Sequence, residues 1–427
     1  MWRLRRVRTH LAALGAADPE PELEPHPDQT PPSGRQLRVG ALTGSGFGAA
    51  VLGVDIAGLA AAAERSETVE AVRGALAAHQ LLVLEGGASM EQIRAVHVCA
   101  HRALGCEPMI PPADSAGGGG VQALDRAAND SGNLDFATFP GFSESAVFGR
   151  SDAVDWGGLR GFVAPSSDLA GPRHQFHHDI AMGERAGPLP PVVSLYCAEA
   201  PKRGGGAIPL PTGGEIRYAA GSTLYASARR ALELAPPALA KRARRMVCCN
   251  RNVFVTSAPG TPEEERYPKM APSGCRPARP PSAADLQHAA QVRNEKLAAD
   301  NDGNHLGGDE FDRSRVSLVQ TGADGSSHLL VNTLELDHLE EGGVELSWEE
   351  SMSFLEALME RGTQPEEILV HSWRPGQLCL WDNRSVWHST TPQHAYTGLP
   401  EAEGRRLMAR TLLPSPSWQP SMVAADA

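Results

Sequence analysis

The stretch WRPGQLCLWDNRSVWHS, Trp373 to Ser389, is a strand, a tight turn at Asp382-Asn383 and a second strand that delivers a histidine, His388. Leu378–Trp381 and Val386–His388 are short apolar runs bounded by turn formers, the pattern of buried strands. Pro191–Ala200 and Leu407–Leu413 read the same way, and Gly and Pro punctuate the gaps between them. Many short strands divided by such turns predict a mainly β core, a β-sandwich or jelly roll. Upstream, Glu67–Gln80 has helical periodicity and precedes the apolar run Leu81–Leu84. Ser89-Met-Glu-Gln92 and Ser347-Trp-Glu-Glu350 are capping boxes. They open helices expected to stop at Gly105 and Gly362. The class is therefore α+β, with helices flanking the strands.

The chemistry centres on Phe176-His177-His178-Asp179. In extended backbone, side chains two apart share a face, so His177 and Asp179 converge while His178 points away. Imidazole plus carboxylate suits iron(II), and a further histidine would complete a 2-His-1-carboxylate triad with open positions. H-x-D by itself occurs by chance, and His177 taken singly fits an ordinary surface histidine as well. Farther on, Arg406, Met408 and Arg410 of the run Arg405–Arg410 share one face of an extended strand. A guanidinium binds a carboxylate in bidentate fashion, as a dicarboxylate co-substrate requires, although a lone arginine triplet is also common surface charge.

Taken together, the H-x-D element, the W-x-x-G-x-L-x-x-W-D-N-R-x-x-x-H element and the R-R-x-M-x-R ending resemble the taurine dioxygenase/TfdA-like family, in order and in character. The run Phe176-His-His-Asp-Ile-Ala-Met182 is similar to the F-H-H-E-M-A of the plant and algal clavaminate-synthase-like branch. Gly53-Val-Asp55 and Ala78–Glu85 add to the resemblance, which covers Leu37–Thr256 and Ser314–Leu413. It implies a double-stranded β-helix (jelly roll) with flanking helices. It implies oxidative decarboxylation of 2-oxoglutarate to succinate and CO2, coupled through Fe(II) and O2 to hydroxylation of a small, anionic substrate. Carried over residue by residue, His177, Asp179 and His388 would ligate iron, and Arg406 would pair with the distal carboxylate of 2-oxoglutarate. Arg410 would lie near the other carboxylate or the anionic group of the substrate. Two features depart from the family. A threonine usually follows a Gly-Gly-acid run, whereas Gly204-Gly205-Gly206 leads here to Ala207, with Thr212 a weak substitute. His388 also lies 209 residues after Asp179 (388 − 179), and extra residues at 396–404 loosen the register of Arg406.

The remaining sequence bounds these readings. The 427 residues carry 39 Lys plus Arg against 51 Asp plus Glu, a net charge of −12, which argues against nucleic acid as a partner. The basic cluster Lys241–Arg245 reads as a solvated helix face. No run approaches the roughly 18 apolar residues of a membrane span, so a soluble, cytoplasmic protein is expected, with organelle targeting by the Arg-rich Met1–Ala17 as the alternative. Seven scattered cysteines without a CxxC pair fit a reducing compartment. Residues 1–36 are expected to be a disordered leader, 37–414 a single domain with a polar insertion at about 257–312, and 415–427 a flexible tail. Gly117–Gly120 lacks the Lys-Ser/Thr of a phosphate loop. His174, His178, His371 and His394 fit loop or packing positions. Two competing functions remain: a catalytically silent jelly-roll protein that keeps the metal for sensing or structure, and a zinc hydrolase, which leaves the arginines without a role. Substrate and oligomeric state are not encoded legibly.

Overall fold

Both the capped helices and the short strands are present in the computed structural model. It describes residues 37–110, 137–139, 142–150, 176–179, 189–209, 215–251, 313–322, 325–332, 336–391, 399–404, 406–421 and 423. The leader, Gly117–Gly120, the 257–312 insertion, Thr212, His174 and His394 lie outside the described residues.

In chain order, β1 (Val39–Ala41) and β2 (Ala49–Val51) lead into α1 (Ile56–Ala61), α2 (Ser66–His79), β3 (Leu81–Glu85) and α3 (Met90–Ala103). Then come β4 (Ala137–Phe139), β5 (Phe142–Arg150), β6 (Val192–Glu199), β7 (Gly205–Pro209), β8 (Glu215–Ala219) and β9 (Thr223–Ser227). Helices α4 (Ala228–Leu234) and α5 (Pro237–Ala243) precede β10 (Met246–Arg251), β11 (Arg313–Ser317), β12 (Val319–Thr321) and β13 (Ser327–Leu329). The chain continues through β14 (Leu336–Glu341), β15 (Val344–Glu345), α6 (Trp348–Met359), β16 (Leu369–His371), β17 (Gln377–Asp382), β18 (Val386–Thr390), α7 (Glu401–Gly404) and β19 (Arg406–Leu412).

Both predicted capping boxes close. Ser89 Oγ accepts from Gln92 N while Gln92 Oε1 accepts from Ser89 N, and Ser347 and Glu350 do the same at α6. Each box satisfies amide donors that the first helical turn leaves unpaired. Helix α2 ends at Gln80, whose φ of 62° turns the chain directly into β3.

An eight-stranded sheet has the order β1-β2-β3-β17-β6-β19-β5-β4, antiparallel except between β2 and β3. A three-stranded sheet, β16-β9-β18, faces it across a core that includes Leu81, Val83, Val193, Leu195, Cys379, Trp381 and Met408 from the large sheet and Tyr225, Leu369 and Val386 from the small one. Leu378 and Leu380 of β17 point the other way, into a second core with α1, α2 and α3. Strand β17 is therefore buried on both faces, which explains why Leu378–Trp381 is a continuous apolar run that does not alternate. Each fully buried large side chain there contributes roughly 1.5–3 kcal/mol. A third core joins α4 and α6 to the four-stranded sheet β11-β10-β14-β15.

The Lys241–Arg245 cluster stays at the surface, but Arg242 and Arg245 both reach Glu341, at 2.9 and 3.1 Å. The stretch after Pro414, expected as a flexible tail, docks through residue 423. Trp418 is 9% exposed, Ser317 N donates to Ser421 O at 3.0 Å, and Val423 N donates to Arg315 O at 2.8 Å. No helical or strand periodicity marks this segment, because backbone pairing to a sheet edge needs no repeating side-chain pattern. Among the described residues, no helix is long and apolar enough to cross a membrane.

Candidate metal centre

Residues 176–179 run extended alongside the end of β18. His177 N donates to His388 O at 3.1 Å and His388 N donates to His177 O at 3.0 Å, a single antiparallel bridge that sets the two imidazoles 4.2 Å apart, centre to centre. One potential ligand atom from each of His177, Asp179 and His388 lies within 4.8 Å of the other two. Asp179 Oδ2 approaches His388 Nε2 at 3.5 Å. The expected alternation holds: His178 turns away, fully buried, with Nδ1 2.6 Å from the carbonyl oxygen of Asn383. A carbonyl only accepts, so Nδ1 carries the proton. Burial pushes the His178 imidazole down to about 3, so it is neutral.

The Asp382-Asn383 turn does more than reverse the chain. Asn383 Oδ1 accepts from Asp179 N at 3.1 Å, and Nδ2 donates to Asp179 O at 3.1 Å and to Pro190 O at 3.0 Å. This buried amide thus clamps the H-x-D segment in register beside β18. Asp382 holds its own end of the turn through Arg384, at 2.8 and 2.9 Å.

Burial pushes the Asp179 carboxyl up, but the charge of Arg410 and the adjoining imidazoles outweighs it, so its pKa falls below the ordinary value. Burial, then His177, takes the His388 imidazole down to about 3, against the pull of Asp179. The outcome is an ionised carboxylate beside a neutral imidazole, the protonation states a metal needs. Among the described residues, Asp179 Oδ2 and His388 Nδ1 are buried without a hydrogen-bond partner. An anionic oxygen left unpaired in a dry site costs several kcal/mol, and a divalent cation beside it would remove that cost. The donor set therefore fits iron(II) or a similar ion.

Arg406 and Arg410 both lie on β19, and Arg410 touches the triad directly. Arg410 Nη1 donates to Asp179 Oδ1 at 2.8 Å, so this guanidinium braces the carboxylate as well as facing the site. Arg406 is buried, and its Nε donates to Gly221 O at 3.2 Å. Gly221 has φ +74°, and a Cβ there would stand 3.0 Å from Arg406 Cδ, so this position requires glycine.

A buried threonine stands two residues beyond Gly221, the glycine that Arg406 meets. Ala207 sits in the separate β7–β8 ribbon, whereas Gly221 is followed by Ser222 and Thr223. Thr223 is buried at the start of β9, two residues before Tyr225, the cross-strand partner of His388. Its Oγ1 accepts from Trp373 Nε1 at 3.0 Å, which leaves the hydroxyl proton available to donate. The signal that could have found it is the next glycine along the chain, followed within two residues by a threonine.

Comparison with known proteins follows the same lines. The chain is 44% identical to (S)-phenoxypropionate/alpha-ketoglutarate-dioxygenase of Sphingobium herbicidovorans over 43 residues, 10% of this chain and 15% of that protein. It is 35% identical to alpha-ketoglutarate-dependent 2,4-dichlorophenoxyacetate dioxygenase of Burkholderia sp. over 71 residues, 17% of this chain and 23% of that protein. These matches span less than a quarter of either relative. The crystal structure of AAD-2 in complex with Mn(II) and N-oxalylglycine superposes with a TM-score of 0.52 at 15% identity, covering 91% of this chain and 100% of that one; at that identity the likeness concerns the fold alone. A family profile matches residues 38–412, nearly the whole described region, and the chain therefore belongs to the taurine catabolism dioxygenase TauD, TfdA family.

Proposed function

We propose that this chain is an Fe(II)- and 2-oxoglutarate-dependent dioxygenase that hydroxylates a small, anionic organic compound. The observation that carries the reading is the convergence of His177, Asp179 and His388, from segments 209 residues apart (388 − 179), on one buried point where a carboxylate oxygen has no hydrogen-bond partner among the described residues. His177, Asp179 and His388 would hold the iron. When bound, it supplies the oxygen activation that couples decarboxylation of 2-oxoglutarate, to succinate and CO2, with substrate hydroxylation.

The protein's own residues position and neutralise. Buried Arg406 would pair with the distal carboxylate of 2-oxoglutarate, with the Thr223 hydroxyl donating beside it. Arg410 fixes the orientation of Asp179 and keeps it ionised, and its remaining N–H groups face the other carboxylate or the anionic group of the substrate. Tyr225, Trp381 and Trp387, all fully buried, exclude water behind His388. The two facing sheets support a double-stranded β-helix as the frame. The F-H-H-D-I-A-M run supports the clavaminate-synthase-like branch, and the phenoxy acids in the names of the two relatives favour an anionic substrate.

The test is a succinate-release screen over small sulfonates, carboxylates and amino-acid derivatives with iron(II) supplied. Turnover should occur with one anionic class and vanish in His177→Ala and Asp179→Ala together with iron binding. Undiminished succinate formation by either variant would overturn the assignment. The catalytically silent alternative rests on the missing hydroxyl and on the long insertion at about 257–312; Thr223 is the hydroxyl that would answer the first of these. Oxygen-free addition of iron(II) and 2-oxoglutarate should give a weak visible charge-transfer band, and its absence would favour the silent protein.

A further inference from the structure

A second cluster of metal-binding side chains lies outside that centre, on the four-stranded sheet. Cys249 of β10 is the cross-strand partner of His338 on β14 and of Arg315 on β11. Glu340 stands two residues beyond His338 and so shares its face of the sheet. One ligand atom from each of Cys249, His338 and Glu340 lies within 4.8 Å of the other two. They converge on one oxygen: Glu340 Oε1 is 2.9 Å from Cys249 Sγ and 3.7 Å from His338 Nε2. Cys249 is buried, and the His338 and Glu340 side chains are 15% and 12% exposed.

Two further features favour a bound cation. His338 Nδ1, the ring nitrogen turned away from the cluster, lies 3.7 Å from Glu345 Oε1. An approach closer by about 0.5–1 Å would make the hydrogen bond by which a carboxylate fixes the tautomer of a ligating imidazole. Arg315 meanwhile holds the Glu340 carboxylate in a fork, through Nε to Oε1 at 3.2 Å and Nη2 to Oε2, which orients it and leaves lone pairs on each oxygen. The ladder also shifts register between Cys249 and Asn250, and such a bulge re-aims side chains.

We propose that Cys249, His338 and Glu340 form a second metal site, selective for a soft divalent cation of the zinc class. Tetrahedral zinc with ordinary bond lengths needs ligand atoms roughly 3.3–3.6 Å apart, a range that the 2.9 and 3.7 Å separations from Glu340 Oε1 bracket. A sulfur, nitrogen and oxygen donor set discriminates against hard cations such as magnesium. On binding, the thiol gives its proton to solvent, the sulfur–metal bond replaces the thiol–Glu340 hydrogen bond, and a water completes the fourth position. The ion would staple β10 to β14 next to Arg251 and Arg313, the paired residues where the chain leaves and re-enters this sheet.

Cobalt(II) titration of the chelator-stripped full chain tests this, because a thiolate ligand gives a near-ultraviolet sulfur-to-cobalt band that the His177 centre cannot produce. The band should appear at one equivalent per chain and persist in Asp179→Ala. Cys249→Ser should abolish it, and His338→Ala should weaken cobalt binding at least tenfold. Zinc should raise the melting temperature of Asp179→Ala but not of Asp179→Ala/Cys249→Ser. No band in the parent chain, or one that survives Cys249→Ser, would overturn the proposal. If Cys249→Ser does not fold, His338→Ala carries the test alone, and unchanged cobalt affinity there is equally adverse.

Discussion

At the scale of single residues, Asp179 and Asn383 show how the site is held. Asn383 satisfies both backbone groups of Asp179 from a buried position, so the carboxylate is presented by a fixed peptide rather than a free loop. Replacing Asn383 with Leu strands buried polar groups at roughly 1–3 kcal/mol each. Iron affinity should fall about 10- to 100-fold, as for other residues that orient metal ligands, measured by iron(II) titration. Thr223→Val removes the bond accepted from Trp373 Nε1 as well as the proposed bond to the co-substrate; loss of the latter, roughly 0.5–1.5 kcal/mol, should raise KM for 2-oxoglutarate about 2- to 12-fold. Thr223→Ser should restore it, and an unchanged KM in Thr223→Val would remove Thr223 from the co-substrate site. The H-x-D pair, His388 and both arginines were legible because alternation and donor type depend on neighbours in the chain. The roles of Asn383 and Thr223 were not, because each is defined by a partner more than 140 residues away.

At the scale of elements, the capping boxes located α3 and α6 from four residues each, since a helix start is a local hydrogen-bonding problem. Gly362 was read as a helix stop, and a further constraint became visible only in the packing. A Cβ at Gly362 would stand 2.3 Å from Ala231 Cα on α4, so Gly362→Ala should destabilise the fold by about 1–3 kcal/mol through overpacking, read as a lower denaturant midpoint. Helix α3 carries His97 and His101, both fully buried with rings 5.0 Å apart. Burial takes the His101 imidazole down to about 3, with the Arg384 charge adding to it. Between the ordinary value of 6.5 and about 3, the unfolded chain binds a proton that the folded chain refuses, so stability falls as pH falls through that window. At about pH 5 this one group costs on the order of 2 kcal/mol. His101→Leu should reduce the loss in urea midpoint between neutral pH and about pH 5, and an unaltered pH dependence would argue against a buried neutral imidazole.

At the scale of the whole molecule, the sheet order brings remote sequence together. Strand β17 lies between β3 and β6, and β19 lies between β6 and β5, so the last third of the chain completes a sheet begun in the first. The segment after Pro414 belongs to this assembly: Ser415 N donates to Leu189 O at 3.1 Å, and Trp418 packs into the core that contains Leu189. Truncation after Pro414 should therefore lower the melting temperature by several degrees, since loss of a buried Trp alone costs about 3–5 kcal/mol. An unshifted transition would return that segment to the status of a tail. By itself the sequence determined the α+β class, the capped helices, the short strands and the residue types of the metal centre, because period, capping and donor chemistry act over a few residues. Only the tertiary structure decided that Asn383 clamps Asp179, that Arg410 braces it, that Arg406 meets Gly221 and that Cys249 meets His338 and Glu340. Each of these is a contact across strands whose register is set by the burial of whole sheet faces, which no local pattern encodes.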